Sequence, residues 1–320
     1  MSETETINNV HDKLFHQVFK NPANTGEFLS IILPETLLCR IDLSKLEIDD
    51  TRYITKKFED LFSDLVFKTK MTAKSGGGRK RRIKIDADIY IILEHKSSQE
   101  PAILIQLLWY MLMVWEKDLA EKKSPRVIIP VVFYHGKKKW NIPRSFIDQF
   151  DVDDEVKEFL LNYRYILFDT RDWDFHDARN EGFRDNVFLL TALSLMKSAF
   201  NKDIGTIAEI FRFWCEKGFT KEKDKVLFFL TYISETKDID QGKLKKILEE
   251  TKIDGGDLMQ TLAQRLRQEG RQEGRQEGMQ LGKQEARIET AKQMLLDKMS
   301  VKVVAKYTGL SEKELKKLLH

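Results

Sequence analysis

The sequence predicts an α/β (α+β) fold, with a mixed central sheet followed by an all-helical C-terminal extension. Three observations predict it. Ile89-Tyr90-Ile91-Ile92-Leu93 is an unbroken apolar run, as expected of a strand covered on both faces. A long amphipathic stretch and a second β-branched run, Val127 to Tyr134, come next. Strand, helix and strand in that order suggest a crossover between parallel strands. Beyond Phe183 the apolar spacing is helical throughout.

The elements follow in order. Leu14, Phe15, Val18 and Phe19 fall at helical spacing. Asn21-Pro22 ends that helix, because proline forces its predecessor into extended geometry. Phe28, Leu29, Ile32 and Leu33 mark a second helix, stopped by Pro34. Leu43 to Tyr53 is mixed and polar and is assigned no element. Phe62 to Met71 reads as a strand. Gly76-Gly77-Gly78, set among basic residues, forms a turn or loop. Ile83 to Leu93 is the central strand, and Pro101 opens a helix that runs to Ala120. Pro125 to Tyr134 is the next strand, and Tyr163 to Phe168 adds another. Helices are expected over 187–200, 204–217, 225–234 and 243–251.

Composition narrows the class. The chain has 320 residues, 42% of them hydrophobic, which is enough for a core and excludes disorder of the whole chain. Two cysteines, Cys39 and Cys215, give no disulfide framework. The polar start and the lack of any apolar run near 20 residues point to a soluble, cytoplasmic protein with no membrane partner. A net charge of +3 identifies no partner, so its distribution must carry that argument.

One arrangement carries chemistry. Glu94 and Lys96 close the most apolar strand, and Asp64 opens the strand before it. If the two strands pair antiparallel about residue 79, beside the glycine turn, Asp64 lies across from Glu94. Directly opposed residues have Cβ atoms about 5 Å apart. Period-two alternation puts Glu94 and Lys96 on one face and His95 on the other. Two carboxylates suffice for Mg²⁺, which keeps several of its waters. A lysine beside them orients water or offsets phosphorane charge. Gln106 and Tyr110, at i and i+4 of the following helix, can project towards the same place. The ordinary alternative is a surface hairpin with unremarkable charges.

Five segments, in order, resemble a known family: His11-Asp12-Lys13-Leu14-Phe15, Phe62-Ser63-Asp64-Leu65-Val66-Phe67, Leu93-Glu94-His95-Lys96-Ser97-Ser98, Leu107-Leu108-Trp109-Tyr110-Met111 and Ile129-Pro130-Val131-Val132-Phe133-Tyr134-His135-Gly136. Over roughly residues 8 to 210 the chain is similar to the bacterial recombination-promoting nucleases, also known as YhgA-like transposases, of the PD-(D/E)XK nuclease superfamily. The resemblance implies a DNA endonuclease using Mg²⁺ or Mn²⁺ that promotes recombination or transposition-like events. It places Asp64, Glu94 and Lys96 in the catalytic roles, Asp64 and Glu94 as metal ligands, and Gln106 in support. The superfamily often adds an acid from the first helix; Glu27 and Asp12 both remain open. Ser63 stands where the family motif has proline, which leaves the metal-binding carboxylate in place.

Two other readings compete. A DDE-type transposase needs three acids at one metal site, and Asp86 and Asp88 lie about 20–25 Å along the strand from Glu94. A catalytically weak or inactive DNA-binding or assembly module would keep the same fold. DNA contact is expected at Arg79-Lys80-Arg81-Arg82, helped by Lys74 and Lys84, and at Lys137-Lys138-Lys139 with Trp140. His11, His95 and His135 lack zinc-site spacing, so no structural zinc is expected. Trp109, Trp115, Trp173 and Trp214 are expected in the core.

The expected organisation is a nuclease domain over 8–210, a helical extension over 211–260, a linker or helix over 261–286 and a small helix-turn-helix over 287–320. The third segment repeats Arg-Gln-Glu-Gly three times from Arg267. The repeat stacks like charges at i and i+4 and spends about 1 kcal/mol per glycine relative to alanine. The repeat is therefore either a flexible linker or a helix stabilised by a neighbour, and in the second case the tail can support a homo-oligomer. In the last segment Ser311 and Glu314 form a capping box, and the helical pair suits DNA or a second subunit.

Overall fold

The computed structural model describes residues 3–49, 65–72, 84–94 (as backbone), 99, 101–177, 185–199, 205–237, 239, 241–253, 255–311, 315 and 317. The chain divides into two units, Met1–Gly255 and Gly256–His320. The first is built on a five-stranded sheet of order β1-β2-β3-β4-β5. Its strands are β1 (Ile41–Ile48), β2 (Leu65–Thr72), β3 (Lys84–Glu94), β4 (Val127–Tyr134) and β5 (Ile166–Asp169). The first three are antiparallel neighbours, whereas β3, β4 and β5 run parallel. The mixed sheet and its crossover thus follow the pattern read from the sequence.

Helices cover both faces. α1 (Glu3–Phe19) and α2 (Pro22–Ile32) precede a short α3 (Glu35–Leu38). Asn21 caps α2, its side chain accepting from the Ala23 amide, and Pro22 takes the first helical position where no amide is needed. Phe15, Phe19 and Phe28 from these helices pack against Phe133 of β4, and Phe28 also meets Phe168 of β5. The other face is covered by the crossover helix α4 (Ile103–Ala120). Its Leu104, Leu107, Tyr110 and Val114 bury against Val66, Val132 and Tyr134. The side chains of Phe133 and Tyr134 therefore serve opposite faces, as strand alternation requires.

After β4 come a short α5 (Asp154–Lys157), β5, and the helices α6 (Val187–Ser198), α7 (Gly205–Glu216), α8 (Lys223–Thr236) and α9 (Gln241–Glu250). α1 packs against both α6 and α8, so the C-terminal helices of this unit close over the first one. Asn186 caps α6 by accepting from the Leu189 amide, and its Nδ2 donates to Asn24 and Glu27 on α2. The second unit consists of α10 (Gly255–Leu296) and α11 (Val301–Thr308) with a small core of Ala291, Val304 and Leu315. The Arg-Gln-Glu-Gly repeat is helical throughout, and a Cβ added at Gly274, Gly278 or Gly282 meets nothing within 4 Å. Ser311 is described, but Glu314 of the expected capping box lies outside the described residues.

Three expectations need correction. Ile41–Ile48, assigned no element, is an edge strand. Only Ile41, Leu46 and the following Asp49 are well buried there, so its hydrophobic signal is weak. The β2–β3 register is shifted by two residues: Leu65 pairs with Ile91, where symmetry about residue 79 requires Leu93. An even shift leaves each position on its original face, but the symmetric pairing that set Asp64 directly across from Glu94 is not the one observed. Finally, Trp109 is 52% exposed rather than in the core.

Candidate active site

The carboxyl ends of the parallel strands converge at one level. Glu94 of β3 is in register with Tyr134 of β4, and Tyr134 with Asp169 of β5. In α/β sheets this is the end where ligands bind, because the chain leaves the strands there in loops free to carry chemistry. Asp64, Lys96 and the basic tip Arg79-Lys80-Arg81-Arg82 lie outside the described residues, and Glu94 is placed by its backbone. Gln106 is half-buried at the end of the first turn of α4, while Tyr110 is buried beneath that helix among Val66, Val132 and Tyr134. Glu27 is engaged by Asn186 at the start of α6, and Asp12 is half-buried on α1. Both belong to the helices covering the Phe133 face.

Lys137, Lys138 and Lys139 are exposed and begin three residues after β4. Their backbone is fastened from below. The Tyr134 hydroxyl donates to the Lys138 carbonyl at 2.7 Å. The Gln99 amide donates to the Lys139 carbonyl and accepts from the Asn141 amide. Trp140 sits behind the loop, 8% exposed, with its ring 4.7 Å from Tyr134 and its indole N–H donating to Tyr165 at 2.8 Å. The expectation that Trp140 faces DNA is therefore corrected: it anchors the loop. The sequence placed it among lysines, and that neighbourhood hid its packing role. Gly136 is required at the turn, because a Cβ there would lie 2.3 Å from the Tyr134 hydroxyl and 2.4 Å from Cζ.

Two further groups border the strand ends: the sequence did not single out Asp169, Arg171 or Tyr232, and considered His11 and His135 only for zinc. Asp169 is held by Arg171, whose Nε donates at 3.0 Å and whose backbone amide donates at 3.1 Å. That hydrogen bond raises the Arg171 pKa above its ordinary value. The guanidinium lies 6.0 Å from the Tyr134 ring centre, so a cation borders the strand ends. On the other side His135 is buried 4.5 Å from His11, and His11 Nδ1 shares a 2.8 Å hydrogen bond with the Tyr232 hydroxyl of α8. Burial pushes the Tyr232 phenol well above its usual range. Asp169 and Arg171 are two residues apart but belong to none of the family-like segments, whereas His11 and His135 lie in two of those segments and meet Tyr232 only through the fold. Among the described residues no three His, Cys, Asp or Glu side chains are grouped to hold a metal.

The fold and this strand end define a mixed α/β protein with a basic loop anchored beside an acid-bearing central strand. The chain belongs to the family described as "Putative transposase, YhgA-like", which it matches over residues 9–225. Residues 284–320 match the C-terminal HTH domain of the Rpn/YhgA-like nuclease family. Among curated proteins it is similar to recombination-promoting nuclease RpnD of Escherichia coli O157:H7, 27% identical over 169 residues, which is 51% of this chain and 60% of that protein. It is also 27% identical over 167 residues to inactive recombination-promoting nuclease-like protein RpnE of Escherichia coli K12, covering 51% of this chain and 52% of that protein. RpnA of the same strain is 25% identical over 127 residues, 39% of this chain and 40% of that protein. The chain thus spans about half the length of the curated relatives it matches. No solved structure matches it. Among the described residues no helix is long and apolar enough to cross a membrane.

Proposed function

We propose that the chain is a divalent-metal-dependent DNA endonuclease of PD-(D/E)XK architecture, acting in recombination or transposition-like DNA exchange. The observation that carries this is the position of Glu94: it ends the central strand at the sheet's carboxyl end, in register with Tyr134 and hence beside the anchored lysine loop. Family membership supports the same reading, since RpnD and RpnA are named recombination-promoting nucleases.

The donor chemistry suits a hard dication. Asp64 and Glu94 would supply carboxylate oxygens, and Mg²⁺ or Mn²⁺ takes such ligands with waters filling the remaining positions. When bound, the ion would polarise the scissile phosphate and lower the pKa of a coordinated water. Lys96 would orient that water or offset charge on the phosphoryl oxygens. Gln106, at the α4 turn nearest the strand ends, would position the water by hydrogen bonding. Lys137, Lys138 and Lys139 would neutralise backbone phosphates and set the register of the strand, carrying no sequence information themselves. The C-terminal HTH segment would supply further DNA contact, and α10 a surface for self-association.

A second reading has a specific observation in its favour. RpnE, similar to this chain, is named inactive. A DNA-binding module without cleavage would show DNA affinity and no nicking. Supercoiled plasmid incubated with Mg²⁺, with and without chelator, separates the two readings.

A further inference from the structure

We propose that the crossover helix α4 pairs with the α4 of a second copy of this chain, through an apolar seam on its solvent side. The pairing itself needs no part of the nuclease reading. From Ile103 to Trp115 the helix carries no charged residue, and Gln106 is the one amide. A helix that is apolar on nearly every side is normally covered on nearly every side. Packing against the sheet buries one side of α4 only.

Two rows of side chains run along α4. The inner row is Leu104, Leu107, Met111, Val114 and Asp118, all buried. It ends on Asp118, which Arg126 grips with its Nε 3.0 Å from both carboxylate oxygens. The outer row starts one residue later, about 100° round the helix. It is Ile105, Leu108, Leu112, Trp115 and Leu119. Its spacing alternates three and four, the period of a helix-on-helix seam. Yet Ile105, Leu112 and Leu119 are 44%, 46% and 63% exposed, and Trp109 beside them is 52% exposed. Trp115 is held in place by its indole N–H, which donates to the Arg126 carbonyl at 2.9 Å. The helix closes just past the row, where the Lys122 amide donates to the Leu119 carbonyl in a left-handed turn.

The seam matches a second copy of itself. Ile105 and Leu119 stand seven residues either side of Leu112, and Trp109 and Trp115 stand three either side. A two-fold axis at Leu112 would lay Ile105 over Leu119 and Trp109 over Trp115, each contact occurring twice, as in an isologous interface. The shapes agree. The C-terminal half of the seam is an open groove of about 640 Å³, lined by Leu112, Trp115, Glu116, Leu119 and Pro125. The N-terminal half supplies the exposed Ile105 and Trp109 to fill it. Charge agrees as well, because the axis falls where α4 is uncharged. Glu116 would stand about 12 Å along the helix from its copy, beyond the Debye length of about 8 Å at physiological salt.

One helix face is smaller than the roughly 800 Å² per partner of a standard complex, so the pair forms at micromolar rather than nanomolar concentration. Its consequence for DNA does rest on the nuclease reading. Antiparallel α4 helices would set their N-terminal ends, Ile103 of each copy, about 27 Å apart along the pair. The two Glu94 strand ends would then face opposite ways and hold two DNA segments in one assembly, as exchange between DNAs requires.

The test is mass against concentration by sedimentation equilibrium, with the full chain, no DNA and no metal, over about 1–100 µM. Wild type should associate. Leu112→Glu and Leu112→Lys, at a half-exposed position outside the core, should each weaken association about 10-fold or more with an unaltered circular dichroism spectrum. Mixed in equal amounts at low salt, the two variants should recover the wild-type mass, because the axis sets the introduced carboxylate against the introduced ammonium. A monomeric wild type overturns the seam. So does an unchanged mass in both variants, which would place association elsewhere, as on α10. Variants that dissociate and fail to recover on mixing overturn the two-fold pairing. Binding of wild type to phosphatidylcholine vesicles that Leu112→Glu abolishes would make a lipid surface the occupant instead. Plasmid nicking by wild type is scored separately. Association without nicking would keep the pairing and remove the nuclease reading; nicking without association would do the reverse.

Discussion

Gly136→Ala tests the arrangement that presents the lysine loop. An alanine Cβ would stand 2.3 Å from the Tyr134 hydroxyl, 2.4 Å from Cζ and 2.7 Å from Cε2. The ring cannot swing aside freely, because Tyr134 is fully buried and Trp140 lies 4.7 Å away. Forcing atoms into a packed core costs about 1–3 kcal/mol. Displacing the ring also breaks the bond from Tyr134 to the Lys138 carbonyl, worth about 0.5–1.5 kcal/mol. The sum is about 1.5–4.5 kcal/mol. For a unit of this size a loss of 1 kcal/mol lowers Tm by about 2–4 °C, so the first transition should fall by roughly 3–18 °C. Differential scanning calorimetry reads that shift, and DNA affinity measured below the transition should drop with it, because the lysine backbone loses its tether. An unchanged Tm together with unchanged affinity would refute the reasoning, since Tyr134 would then not be folded against Gly136.

Two predictions concern the end of α4. Lys122 has φ +56°, in the left-handed region that suits glycine. Lys122→Gly should therefore stabilise the chain by about 1 kcal/mol in urea unfolding, and a loss of stability would count against the turn. Asp118 has its pKa lowered, first by the Arg126 hydrogen bond. A depressed folded value contributes stability that is present above the unfolded value of 3.8 and is lost as pH falls through the lower folded one. Asp118→Asn should destabilise by about 3 kcal/mol at pH 7, with the deficit narrowing as pH falls below 4; a deficit that stays constant with pH would show that the pair carries no such linkage.

Much of the fold was legible because its central strands are written as apolar runs. Ile89 to Leu93 and Val127 to Tyr134 announce themselves, and the helix between them fixes a parallel pairing. Even Pro130 is accommodated, since β5 pairs with β4 only from Val131 onward. β1 was not legible: Asp42, Ser44, Lys45 and Glu47 dilute an edge strand whose ladder partner lies on one side only. The hairpin register was misjudged by two residues because a glycine-rich turn need not be symmetric about its own midpoint. The residues that anchor the lysine loop, Gln99, Trp140 and Tyr165, and the pair Asp118–Arg126 could not be read in advance. Their partners come together only through the crossover and the strand pairing.

The most direct test of the central claim is plasmid nicking by wild type and Glu94→Gln, each with Mg²⁺ and each with chelator, alongside circular dichroism to confirm folding. The account predicts metal-dependent nicking by wild type, none in chelator, and a rate at least about 100-fold lower in Glu94→Gln with an unaltered spectrum. A folded Glu94→Gln that nicks at the wild-type rate would contradict the assignment of Glu94, and a folded wild type that binds DNA without nicking it would contradict the enzyme.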